Sequence, residues 1–213
     1  MKNTRVLFIV VLVVVIGTMI YSFSGTTEEV PKEAEQDYLA SVQGERDEKD
    51  LYMKESESSP LSAEDKRFFR GLSYFDVNAN YKIVAKLLPF PQDAFLTMAT
   101  SDGKEKRYKK FAHAQFELNG ASHQLLVLQS TDPLQSNLLF LPFTDETSAE
   151  QTYGAGRYLD FEMPEKNELV IDFNLAYNPY CAYNDQYSCP FPPAENHLKI
   201  AILAGEKTFQ KIN

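Results

Sequence analysis

The chain has 213 residues, 44% of them apolar, enough for one packed domain with extensions. Its net charge of -9 excludes the clustered Lys and Arg footprint of a nucleic-acid binder. An acidic balance keeps a protein soluble and repels anionic partners.

Lys2 and Arg5 precede the apolar run 6–23, "VLFIVVLVVVIGTMIYSF". That length spans a bilayer, and the run ends without the small-residue triplet of a cleavage site. It therefore reads as a signal anchor and transmembrane helix over 1–23, with secretion after cleavage as the alternative. No Cys follows to carry a lipid. The positive charges before the run, and Glu28, Glu29 and Glu33 after it, place the N-terminus in the cytoplasm and the rest outside. The membrane is then a partner through this helix. Outside the cytoplasm two thiols can pair and stay paired.

Residues 24–57 read as an acidic tether followed by a charged helix, and 58–213 as a β-rich domain. The helix-leaning part, 36–57, has a thin apolar stripe of Tyr38, Leu39, Val42, Leu51, Tyr52 and Met53, broken at Gly44. It reads as a solvated connector. Ser62 followed by Asp65 resembles a capping box, and Gly71 fits a helix stop, so a short helix is predicted between them.

From Tyr74 the apolar period becomes two. Strands are predicted over 81–88, 94–101, 106–118, 123–130, 137–143, 157–163, 168–174 and 197–204. "PFPQD", "SDG", "LNGAS", "STDPLQSN" and "MPEKN" separate them, with a loop longer than two residues around Asn119-Gly120. With no amphipathic helix between strands, the fold class is mainly β. It is an antiparallel β-sandwich or small β-barrel with one or two short N-terminal helices, preceded by the transmembrane helix.

Gly154 and Gly156 in "TYGAGRYLDF" open a strand rather than a helix, so they read as a bend and not a phosphate loop. In the hairpin expected next, Tyr158 and Asp160 share one face of one strand, and Asp172 and Asn174 share one face of the other. If those strands pair, the two carboxylates lie close, one is pushed upward, and either serves as a catalytic acid or base. A solvated polar face is the competing reading. Arg157 falls on the other side, as an ion-pair partner for an acid.

The histidines, His113, His123 and His197, are scattered, and Cys181 and Cys189 stand eight apart with no short-spaced ligand beside them. No metal site and no cofactor is predicted. The two cysteines are a candidate disulfide closing a small loop, with a buried reduced pair as the alternative. Cys181 is also a candidate nucleophile. The surrounding "YNPYCAYNDQYSCPFPPAENH" is stiffened by Pro179, Pro190, Pro192 and Pro193. Tyr177, Asn178, Tyr183, Glu195 and Asn196 could line a pocket roofed by 177–196, or cap an open barrel end.

"TYGAGRYLD", "DFNLAYNPYCAY", "CPFPPAENHLKIAI" and "AGEK", with "SPLSAEDKRFFRGLSYFDVNANYKIVAKL" upstream, closely resemble the domain of unknown function 1684 family over residues 36–208. Tyr180 stands where a second Pro is common, and His197 where an Arg is frequent. The family carries no assigned activity. The resemblance implies that the paired cysteines also occur in members without export signals, so pairing for stability is not their sole purpose. It concentrates attention on Arg157–Asp160, Asp172–Tyr183 and Cys189–Asn196. The expectation is a small-molecule-binding domain with Arg157, Tyr158, Asp160, Asp172, Asn174, Tyr177, Asn178, Tyr183, Glu195 and Asn196 as its lining. The alternatives are a hydrolase-like enzyme using Asp160, Asp172 or Cys181, and a structural module of the cell envelope.

Overall fold

The computed structural model describes residues 32–211. The chain divides into two units at Asp37/Tyr38, and of the first only the opening of helix α1 (Lys32–Glu55) is described. No helix among the described residues is long and apolar enough to cross a membrane. On that finding the expected fold class, a β-domain preceded by a transmembrane helix, is corrected to a mainly β domain with two helices, and the single-pass localisation is corrected with it. The run 6–23 on which both rested lies outside the described residues.

Seven strands form one sheet: β1 (Lys82–Ala99), β2 (Glu105–Leu118), β3 (Ala121–Ser130), β4 (Leu138–Asp145), β5 (Arg157–Glu162), β6 (Glu168–Asp172) and β7 (His197–Leu198). The order is β5-β4-β3-β2-β1-β6, antiparallel throughout, with β7 added parallel to β4. The sheet curls into a half-barrel rather than splitting into a sandwich. Its edges approach where Tyr177 bridges Tyr158 through a reciprocal pair of backbone hydrogen bonds of 2.8 and 3.0 Å.

Two of the expected strands, 81–88 and 94–101, are one bent strand, β1, whose register against β2 shifts between Pro89 and Ala94. The prolines are tolerated because β6 pairs only with Lys82–Lys86, so beyond that point one side of β1 is an edge that needs no ladder donor. The Asn119-Gly120 turn is shorter than expected. Leu118 pairs with Ala121, and the two intervening residues take φ of 53° and 74°, both positive as a two-residue type I′ hairpin requires. The strand expected over 197–204 is ordered as a strand only at His197–Leu198.

The inner face of the sheet carries the main core, from Leu87, Ala114, Phe116, Leu125 and Val127 to Leu141, Phe143, Leu159, Ile171 and Phe173. On β3 the alternate residues Leu126 and Leu128 are also fully buried, in a smaller cluster with Met98 and Tyr108 on the outer face. A strand buried on both faces means that something covers the outside of the sheet. The cover is the segment after β6.

Helix α1 is not a solvated connector from Tyr38 onward. Tyr38, Val42, Arg46, Lys49 and Met53 recur at three- and four-residue spacing and form the stripe that faces the β-domain. Val42, Arg46 and Met53 are buried, while Leu39 and Leu51 point to solvent. The docking stripe is half polar, which is why apolar periodicity did not find it. Arg46 donates to the carbonyls of Phe75 (3.0 Å) and Asn174 (3.2 Å). Helix α2 (Ala63–Phe68) is capped as expected, Ser62 Oγ accepting from the Asp65 amide at 3.0 Å. Between the two helices, Met53, Leu61, Phe69 and Tyr183 form a small second core.

Candidate functional site

β5 begins after a bend at Gly156, whose φ is +91°. A Cβ there would stand 2.5 Å from the Phe143 carbonyl, so only glycine fits the turn. The bend sets strict alternation in β5. Arg157 and Leu159 point inward, and Tyr158 and Asp160 outward.

The outward residues face a cleft of about 370 Å³. Its floor is the outer face of β2–β5, where Tyr108, Phe140 and Tyr158 pack in sequence. Tyr108 and Phe140 stack with centroids 5.5 Å apart, and Tyr158 meets Phe140 edge-on at 4.7 Å. Its roof is Tyr177, Pro179, Tyr180 and the strip Tyr187–Pro190. Tyr158 ties floor to roof by donating its hydroxyl to the Pro190 carbonyl. Lys106, Ser130 and Gln135 line the rim.

Asp160 lies in this cleft and accepts the Tyr177 hydroxyl proton. It is open to solvent through the cleft mouth, yet the surrounding protein removes enough water to push its carboxyl upward, against the Tyr177 bond that lowers it. Among the described residues no Lys, Arg or His forms an ion pair with it.

Asp172 does not join Asp160. β5 and β6 sit at opposite ends of the strand order, so the expected hairpin is absent. Asp172 instead accepts the Tyr38 hydroxyl at 2.9 and 3.0 Å and caps the turn Phe173–Leu175 by accepting from the Asn174 amide. Asn174, fully buried, bonds Tyr38 and both backbone groups of Asn78. This pair fastens α1 and the 78–81 turn to the sheet.

Other residues expected in the pocket are likewise spent inside the fold. Arg157 is buried, with its guanidinium 2.8 Å from Asp145 and on the carbonyls of Ile202 and Ala204, the ion pair that alternation anticipated. Asn196 fills the gap between β3 and β4, which pair directly only at Leu128 and Gln129. Its Nδ2 donates to the carbonyls of Leu126 (2.9 Å) and Pro142 (2.7 Å), and its Oδ1 accepts the Leu126 amide at 2.7 Å. Glu195 stands outside the cleft, against Lys110 and His113. Partial burial raises its carboxyl, but the bonds from His113 and Lys110 outweigh this and hold it below the usual range.

Asn178 and Tyr183 converge on a residue that sequence reasoning did not single out, Glu206. Its carboxylate is fully buried. It accepts from the Asn178 side chain (2.9 Å) and amide (3.1 Å), from the Tyr183 hydroxyl, and from Lys49 of α1 at 2.7 Å. The signal available was its place in the motif "AGEK".

Cys181 and Cys189 are free thiols, both buried. The Cys181 amide donates to Cys189 Sγ at 3.2 Å, and Tyr153 donates its hydroxyl to Cys181 Sγ at 3.7 Å. Cys189 lines the cleft. Among the described residues no group of three or more His, Cys, Asp or Glu side chains is placed to hold a metal. Of the expected lining, the fold therefore brings Tyr158, Asp160 and Tyr177 into one cleft. Sequence reasoning missed Tyr108, Phe140, Tyr180 and Tyr187 there. The first two share the outward register of β2 and β4, but alternation alone could not tell that this face is covered.

A half-barrel sheet with an aromatic cleft under a proline-braced loop defines a β-domain built around one covered outer face. The chain belongs to the family described as protein of unknown function (DUF1684), whose model matches residues 67–207. A solution NMR structure of an uncharacterised protein from Haloarcula marismortui is similar at 40% identity and a TM-score of 0.64, over 83% of this chain and 97% of that one. No curated protein matches the chain.

Proposed function

We propose that the domain binds a small organic cation, an amine or quaternary ammonium, in the Tyr108–Asp160–Tyr177 cleft. One observation carries this reading. Asp160 is an ionisable carboxylate with no cationic partner among the described residues, set in a cleft walled by Tyr108, Phe140, Tyr158 and Tyr177. Aromatic faces attract cations, by about 2 kcal/mol or more where water is displaced. A carboxylate beside them supplies the counter-charge. Lys106 at the rim already holds its ammonium 5.3 Å from the Tyr108 centroid, so that ring takes a cation. Pro179 and Pro190 in the roof have fixed φ, which limits the ordering entropy lost on binding.

The test is an NMR titration of the full chain with tetramethylammonium, choline and butylamine. Neutral 3,3-dimethylbutanol and anionic butyrate serve as matched comparisons. Shifts confined to the cleft tyrosines, saturating for the cations and weaker for the alcohol, are expected. Lys106→Ala should tighten cation binding by removing a competing charge. Tighter binding of butyrate, or weaker cation binding in that variant, would sink the reading.

A further inference from the structure

We propose that Cys181 and Cys189 form a redox-active dithiol, which hydroperoxides oxidise to a disulfide and a small dithiol reductant restores. This goes beyond the cation-binding reading and does not depend on it.

The geometry starts with two anchored backbones. Cys181 sits in the tight turn Tyr180–Ala182, closed by hydrogen bonds from Ala182 to Pro179 (2.9 Å) and from Tyr183 to Tyr180 (3.0 Å). Cys189 is held against the end of β1. Its amide donates to Ser101 Oγ at 3.0 Å, its carbonyl accepts the Ser101 amide at 2.9 Å, and Pro190 bridges Thr100. The two thiols are thus presented to each other, with Cys189 Sγ 3.2 Å from the Cys181 amide.

The two sulfurs are also electronically unlike. A hydrogen bond from the Cys189 thiol is the largest influence on Cys181. With the bond from Tyr153 it outweighs burial and lowers Cys181. The same bond, with burial, raises Cys189. The surroundings therefore push the two sulfurs in opposite directions, Cys181 toward thiolate and Cys189 toward thiol. That is the division of labour between an attacking and a resolving cysteine.

The steps balance. The Cys181 thiolate attacks the outer oxygen of the hydroperoxide, breaking the O–O bond. It becomes a sulfenic acid while the leaving alkoxide takes a proton to give an alcohol. The Cys189 sulfur then attacks the Cys181 sulfur, expelling water and leaving a disulfide. A dithiol reductant reverses this by two thiol–disulfide exchanges and is itself oxidised to a disulfide. A lowered thiol is more fully ionised at neutral pH, partly offset by its lower intrinsic nucleophilicity.

The experiment uses the full chain, reduced and then desalted. Brief treatment with tert-butyl hydroperoxide should remove both titratable thiols, and intact mass should show the loss of two hydrogens per chain. Dithiothreitol should restore both thiols. In Cys189→Ser, a cyclic 1,3-dione should trap a sulfenic acid at Cys181, whereas Cys181→Ser should give no adduct at Cys189. Should either variant fail to fold, peptide mapping of the native chain after limited iodoacetamide decides. Cys181 should be alkylated first, with a pH midpoint below that of a free thiol. Two thiols that survive the peroxide, equal alkylation of both cysteines, or a disulfide that dithiothreitol cannot open would each overturn the proposal.

Discussion

Tyr177 donates its phenolic proton to Asp160 across the seam where the chain beyond β6 returns to the edge of β5. The two residues belong to opposite ends of the sheet. Their contact closes the half-barrel and places the acid inside an aromatic cleft.

The first prediction concerns that acid. Burial raises the Asp160 carboxyl in the folded chain. A raised carboxyl favours the protonated form, so its contribution to stability is present at low pH and is lost as pH rises through the folded value. Above that value the ionised group works against folding. Asp160→Asn keeps an oxygen for Tyr177 and removes the charge. Its urea midpoint at pH 7 should rise slightly, by less than about 1 kcal/mol given its solvent contact. Cation binding should fall in the same variant. A variant that is both less stable and unchanged in binding would contradict this.

Glu206 should be among the costliest side chains to remove. Glu206→Ala strands the buried Asn178 and Tyr183 groups and leaves Lys49 without its carboxylate. Breaking buried charge networks on one side costs about 3–5 kcal/mol. Lys49 is one-quarter exposed, which favours the lower end. Lys49→Met and Glu206→Gln together should cost less than the sum of the two single changes, and equilibrium urea unfolding of the four members of that cycle measures the coupling.

Asn196→Ala should separate β3 from β4 at Leu126 and Pro142. Three buried backbone groups lose their partner, at about 2–4 kcal/mol in total. Amide hydrogen exchange should accelerate at Leu126 before it does at Leu128, which keeps its pairing with Phe140. Uniform exchange along β3 would argue against the clamp.

Gly156→Ala places a Cβ against the Phe143 carbonyl and Pro192 at a positive φ. The backbone cost alone is about 1–3 kcal/mol. Because the bend sets the register of β5, the cleft tyrosine resonances should shift as well. Gly103→Ala, at positive φ in open space, is the control that carries the strain without the collision.

Several elements were legible because their causes are local. The Ser62 cap lies three residues from the amide it satisfies. The alternation that sends Arg157 inward and Asp160 outward follows from the pleat alone. The Gly156 bend announced itself by residue type. Helix α1 was legible as a helix but not as a docked one, because its stripe includes Arg46 and Lys49. Their burial depends on carbonyls and a carboxylate supplied from far along the chain.

By itself, the sequence determined a mainly β domain with its caps, turns and inward-facing apolar residues, since dihedral preference and period act over a few residues. Only the tertiary structure decided which polar side chains were left free. Asp172 finds Tyr38 134 residues away, Asn196 finds Leu126 70 away, and Asn178 finds Glu206 28 away. A polar residue in a loop reads the same whether it is aimed at a ligand or satisfies a distant buried amide. Strand order settled the matter by putting β5 and β6 at opposite edges and closing the sheet through Tyr177. Asp160 faces the cleft and Asp172 does not.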